Sequence, residues 1–268
     1  MATVSALADR VSSLSRAAPL LCAVLQILTP TLPALGIGQP IGDQSDAVRT
    51  LITPAGWAFS IWGALYTGSL VFAVHQALPS QRDSMLAREL RWLAALAFLG
   101  NALWALYTQS AGLTALSVVI IFFTLACLLR IFRTFALWRS PFTAGERWCA
   151  VLPLSALASW LSVASIVNVA AALRFHGVEG GSATPMIAAA LLVIGGLIAA
   201  GALISSFGNP PFALVFLWAL AAIYAAGGQQ ATPVALGAGL AALLVIGATA
   251  IGLRGGRTSH WFAAPGRR

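Results

Sequence analysis

The chain has 268 residues, of which 59% are hydrophobic and 8% charged, with a mean hydropathy of +0.89 and a net charge of +8. Soluble domains carry about 25% charged residues, so a water-soluble globular domain is excluded and the lipid bilayer is the expected solvent. The basic excess does not indicate a nucleic-acid partner: all fifteen basic residues are arginines, and they flank apolar runs instead of forming one stripe. The apolar runs are long and continuous and do not alternate. That pattern selects an all-α polytopic transmembrane helix bundle over a barrel.

In chain order, residues 1–16 are polar, with Arg10 and Arg16, and are expected to lie outside the bilayer on the cytoplasmic side. Residues 17–38 form the first span, bent by Pro30 and Pro33; the run exceeds the roughly 7–15 residues of a signal-peptide core. A polar loop, 39–53, carries Asp43, Asp46 and Arg49. Span 2 covers 54–78, and a loop with Arg82, Asp83, Arg88, Glu89 and Arg91 follows. Span 3 is 92–108 and span 4 is 113–132. A charged stretch, 133–148, leads to span 5 at 149–173. The loop 174–185 holds Arg174, His176 and Glu179. Spans 6, 7 and 8 are 186–206, 211–228 and 232–253, with short uncharged joins, and the tail 254–268 is polar and basic. Each run is near the roughly 20 residues needed to cross a bilayer core.

Eight spans with both termini in the cytoplasm put thirteen arginines on the inner side. Only Arg49 and Arg174 fall outside. That asymmetry is the positive-inside signal. It orients a multi-pass membrane protein with both ends inside, and a bacterial inner (cell) membrane is the expected location.

The residues that could carry chemistry are few. No Asp, Glu or Arg is expected deep in a span, which counts against a coupled pump. There is no carboxylate pair, His-containing dyad or HExxH, so no enzyme is expected. His75 is the one histidine inside a span and has no partner at metal-ligand spacing; a headgroup-level or hydrogen-bonding role competes with metal ligation. Cys22, Cys127 and Cys149 stand at no metal or redox spacing and read as small buried thiols.

The aromatic and polar side chains are more informative. Span 2 opens with Pro54 and then Trp57, Phe59, Trp62 and Tyr66, with Trp62 and Tyr66 on one helix face. This is either an interfacial aromatic belt or a wall of a ligand cavity. Asn101 and Trp104 are i,i+3 in span 3. Trp160, Ala164 and Asn168 form a stripe on span 5, beside Ser155, Ser159, Ser162 and Ser165. Buried amides and hydroxyls of this kind are either interhelical glue or the few polar groups of a small-molecule pocket. Glycines of the last three spans (Gly195, Gly196, Gly201, Gly237, Gly239, Gly247) permit close helix contact and make a homodimer conceivable. Those spans are expected to pack and not to form the site.

These residues resemble the TspO/MBR family, the tryptophan-rich sensory proteins related to the mitochondrial translocator protein. Trp57-x-Phe59-x-x-Trp62-x-x-Leu65-Tyr66 is similar to the family's aromatic signature in its second span, and Asn101-x-x-Trp104 to its N-x-x-W in the third. Leu152-Pro153, Trp160 and Asn168 recur at the intervals of the fifth. The chain departs from the family in a Phe59-to-Trp62 interval one residue shorter, in lacking a Trp-Tyr pair in the first loop, and in three additional spans. The resemblance implies a five-span core over residues 17–175, with 186–253 added to it. It further implies an aromatic cavity formed by Trp57, Phe59, Trp62, Tyr66, Trp104 and Trp160, with Asn101 and Asn168 orienting polar edges. No cofactor is firmly implied; the ligand it suggests is apolar, such as a porphyrin, a haem-like ring or a sterol, because aromatic faces stack on a macrocycle. The leading expectation is a sensor or regulator that binds such a ligand. An uncoupled carrier of an apolar metabolite is the alternative, followed by an enzyme acting on a bound porphyrin and a purely structural partner.

Overall fold

The structure, a computed structural model, describes residues 2–254 and 258–263, with side chains from residue 13 onward. The side chain of Arg10, and Arg257, Arg267 and Arg268 of the basic tail, lie outside the described residues. The helices are α1 (Ala2–Leu28), α2 (Ile41–Ala47), α3 (Ile61–Ala77), α4 (Met85–Ala111), α5 (Ala115–Leu137), α6 (Ala144–Glu146), α7 (Leu152–Phe175), α8 (Thr184–Ser205), α9 (Pro210–Ile223), α10 (Thr232–Leu253) and α11 (Thr258–Phe262). Among the described residues, eight helical stretches are long and apolar enough to cross a membrane, and they coincide in order with the eight expected spans.

Local sequence sets the helix ends. The first span changes from α to 3-10 geometry at Thr29, where Pro30 and Pro33 remove backbone donors, and it ends at Gly36 with φ +78°. The helix runs back without a break to Ala2, so residue 16 is a boundary of charge and not of structure. Ser84 caps α4 by accepting from the Ala87 amide, and Thr114 caps α5. Thr143 and Glu146 form a reciprocal capping box before α7. A π-helical turn, Arg147–Val151, then precedes Pro153, whose ring would meet the carbonyl four residues back in a regular helix.

Helices α4 and α5 extend beyond the expected spans, and one expectation changes as a result. Arg88, Glu89 and Arg91 are helical, not loop residues, and Arg91 is buried. Its Nε donates to Gln76 Oε1 (3.0 Å), and its Nη2 donates to the carbonyls of Gln76 (3.2 Å) and Gln81 (2.9 Å). A buried arginine therefore does lie within a span, held by neutral acceptors.

Helices α1, α3, α7, α5 and α4 form a closed ring in that order, each packed on the next and α4 on α1. Small residues bring the ring helices close. A Cβ at Gly68 would stand 2.8 Å from Pro153 Cβ, and one at Gly100 would overlap Thr124 Oγ1. The remaining spans stack outside α7. Helix α9 lies on α7, and α10 lies on both α9 and α8. The α8–α10 contact is two-sided: a Cβ on Gly196 would be 2.8 Å from Ala241 Cα, and one on Gly237 would be 2.9 Å from Ala189 Cα. Gly201, Gly239 and Gly247 face open space, so the glycines of these spans do not share one packing role.

Polar side chains fix α9 to α7. Asn209 caps α9, accepting from the Phe212 amide (3.0 Å), and donates to Ser155 Oγ (3.0 Å). Ser159 Oγ donates to the Phe212 carbonyl (2.7 Å). Ser162 and Ser165 instead bond back to their own helix. The tail returns to the bundle through α11: Trp261 Nε1 donates to the Phe207 carbonyl (2.9 Å), and its ring lies parallel to Phe142. His260 Nε2 is 2.9 Å from the Phe135 carbonyl. Burial pushes this imidazole below its usual pKa, and the carbonyl opposes the shift.

Candidate ligand-binding site

Three crossings bring aromatic rings to one place inside the helix ring. Trp62 and Tyr66 extend from α3, one turn apart, with centroids 5.1 Å from each other. Trp104 of α4 lies near-parallel to Trp62 at 6.5 Å, and Trp160 of α7 meets Trp62 edge-on at 5.9 Å. Phe59, on the 3-10 turn Gly56–Ser60 that leads into α3, meets Trp160 edge-on at 6.2 Å. These separations are those of direct ring contact. Trp160 is 2% exposed, and its indole Nε1 is buried without an acceptor. An indole N–H so placed is an unmet donor in an apolar setting, and such groups are rare in folded proteins.

The two asparagines part company. Asn168 stands at the rim of the cluster and joins three helices. Its Oδ1 accepts from Trp104 Nε1 (2.8 Å), and its Nδ2 donates to Ser117 Oγ of α5 (2.8 Å). Asn101, one turn before Trp104, turns toward α1 and donates to Gln26 Oε1 (3.2 Å). The i,i+3 pair therefore spans two interfaces and does not meet on one side. Asn168→Leu is expected to lower stability by about 1–2 kcal/mol, two interhelical bonds at the scale of roughly 0.6 and at most about 1.7 kcal/mol each. Denaturation in mixed micelles followed by far-UV circular dichroism measures it, and an unchanged midpoint would show that the network adds nothing.

Trp57 is also apart from the others. It sits on the 3-10 turn, is 49% exposed, and packs edge-on against Trp218 of α9 at 4.8 Å. Trp218 Nε1 reaches the Ala58 carbonyl at 3.4 Å, and the Ala55 amide donates to the Ala222 carbonyl (3.0 Å). The spans expected only to pack thus hold the segment from which the aromatic cluster begins.

A chain segment crosses the same end of the ring. The Gln39 amide donates to the Gln109 carbonyl at the end of α4 (2.8 Å), and Val48 buries against Leu113 and Ala171 beside Trp104. The sequence marks this segment only as polar; the isolated Val48 gives no signal before the fold is known. Gln26, Thr108 and Gln109 are buried polar residues that the motif did not pick out. His75 lies at the other end of α3, against Gly145, with Nε2 buried and unpartnered. The three cysteines are free thiols. Among the described residues, no group of three or more His, Cys, Asp and Glu side chains is placed to hold a metal ion.

An all-helical bundle with eight apolar crossings and an aromatic cluster inside a five-helix ring is an integral, multi-pass membrane protein. The chain belongs to the TSPO-like family: the family model described as TSPO-like protein matches residues 14–251. That match takes in all eight crossings, including α8, α9 and α10. No curated protein and no solved structure matches the chain.

Proposed function

We propose that the protein is a membrane sensor or regulator that binds a flat apolar ligand, of the tetrapyrrole class, at Phe59, Trp62, Tyr66, Trp104 and Trp160. The observation that carries this reading is the buried Trp160 N–H, which lacks an acceptor within a cluster of ring faces. A ligand with a flat apolar body and an acceptor at its edge complements both features. Asn168 positions Trp104 through the indole bond. Asn101 supports the α1–α4 wall and Trp57 supports the entry of α3. Neither is assigned direct ligand contact. The reading is of binding and not of catalysis. In it both termini face the cytoplasm across a bacterial inner membrane, as the arginine distribution supports.

Titrating the purified protein with protoporphyrin IX is expected to quench tryptophan emission saturably. Trp160→Phe keeps the ring packing but removes the N–H, and should weaken binding about fivefold, the scale of one neutral hydrogen bond. Trp62→Ala should weaken it more, while Trp57→Ala should leave the affinity near that of the parent. No saturable quenching by protoporphyrin IX would overturn the reading. Vesicle uptake distinguishes the sensor from an uncoupled carrier, since a sensor binds without moving the ligand across.

A further inference from the structure

A concave site lies away from the aromatic cluster, between the first turns of α4 and the last turns of α5. It is a cleft of about 550 Å³. Arg130 and Arg133 of α5 and Arg139 just beyond that helix line it, together with a single carboxylate, Glu89. All four residues are exposed. Among the described residues the ion pairs are Arg49–Asp46, Arg88–Asp83 and Arg174–Glu179, so none of the three cleft arginines is paired and Glu89 neutralises none of them.

One cation in the last turn of a helix is adequately explained by the helix dipole. Three unpaired guanidinium groups around one concavity are not. The rest of the lining is mixed. Leu93 and Leu137 supply apolar wall, and the half-buried Trp138 adds an indole at the level where α5 ends. Guanidinium groups bind phosphate oxygens in a bidentate fork. Indoles favour the headgroup region of a bilayer, and basic pockets between spanning helices suit anionic headgroups. A free phosphate would use the arginines but leave the leucine wall without a partner. A lipid uses both.

We infer that this cleft binds an acidic phospholipid, with its headgroup phosphate on Arg130, Arg133 and Arg139 and its first acyl methylenes along Leu93 and Leu137. The site is separate from the aromatic cluster, and it stands or falls independently of tetrapyrrole binding.

Native mass spectrometry of the full chain, equilibrated with mixed micelles of equal phosphatidylcholine and phosphatidylglycerol, tests this. The parent is expected to retain phosphatidylglycerol preferentially. Arg133→Gln should reduce that preference about fivefold, the scale of one arginine at an anionic surface, and Arg130→Gln/Arg133→Gln/Arg139→Gln should abolish it. Arg82→Gln/Arg88→Gln/Arg254→Gln removes the same formal charge elsewhere and should retain the preference. Equal loss in both triple variants would overturn the proposal in favour of general charge attraction. An unchanged preference in Arg133→Gln, which exchanges a single exposed side chain, would overturn it directly. Complete displacement of phosphatidylglycerol by excess inorganic phosphate would overturn it in favour of a free-anion site.

Discussion

Gln76→Leu is expected to destabilise the protein by about 3 kcal/mol, a large effect for one neutral side chain at a helix end. Gln76 is fully buried and works in two directions. Its Nε2 donates to the carbonyls of Arg16 and Ala73, both at 2.8 Å, and so ties α3 to α1. Its Oε1 accepts from Arg91 of α4. Leucine removes all three bonds and leaves the Arg91 Nε–H facing apolar atoms. A hydrogen bond to a charged group contributes about 1.5–3 kcal/mol, and stripping a partner from a buried charge costs about 3–5 kcal/mol. The two remaining carbonyl acceptors of Arg91 keep the expected loss at the lower end of that range. Gln76→Leu/Arg91→Met should recover most of the stability, because no charge is then left without its partner. Reversible unfolding of the single and double variants in mixed micelles completes the cycle. A single variant as stable as the parent would show that Arg91 has found other acceptors.

Gly227→Ala is expected to cost about 3 kcal/mol, the upper part of the usual range for overpacking. Gly227 lies in the π-helical turn Tyr224–Gly228 at the end of α9. A Cβ added there would fall on the carbonyl of Leu51. The added Cβ is fixed by its own backbone and what it meets is backbone, so no rotamer change relieves the overlap and α9 must draw back from segment 51–58. That movement would also strain the Ala55–Ala222 hydrogen bond and the Trp57–Trp218 contact. Gly239→Ala is the control: its added methyl meets open space, and alanine is favoured over glycine inside a helix by about 1 kcal/mol. Thermal unfolding of the two variants should therefore shift in opposite directions. A Gly227→Ala protein with an unchanged midpoint would mean a looser fit of α9 than the structure has.

The order and number of the crossings were legible because hydropathy and arginine placement report directly on a bilayer. Helix ends were less so. Arg88, Glu89 and Arg91 look like loop residues from charge alone, yet a capped helix can carry charge through its first turns and bury one guanidinium against carbonyl groups. The convergence of Trp62, Trp104 and Trp160 was implied by the family resemblance; spacing within each span fixes a helix face but not which faces meet. The divergence of Asn101 from Trp104 did not, because the two directions within an i,i+3 pair depend on which helices flank α4. Trp57 was grouped with the cluster by the family resemblance. The 3-10 turn rotates it toward Trp218, and neither that turn nor the nearness of α9 has a local sequence signal. Asn209 had one: an Asn before two prolines is an N-cap with proline at the first helical position.

The pairing of α8 with α10 bears on how the protein is made. Apart from slight contact with α7, α8 has its main partner in a helix that is translated after it, with all of α9 between them. Insertion and association are separate stages for spanning helices. A nascent chain stopped before Thr232 would therefore hold α8 in lipid by its hydrophobicity and its slight contact with α7, with Gly196 facing acyl chains. The eighth crossing is what locks the sixth in place.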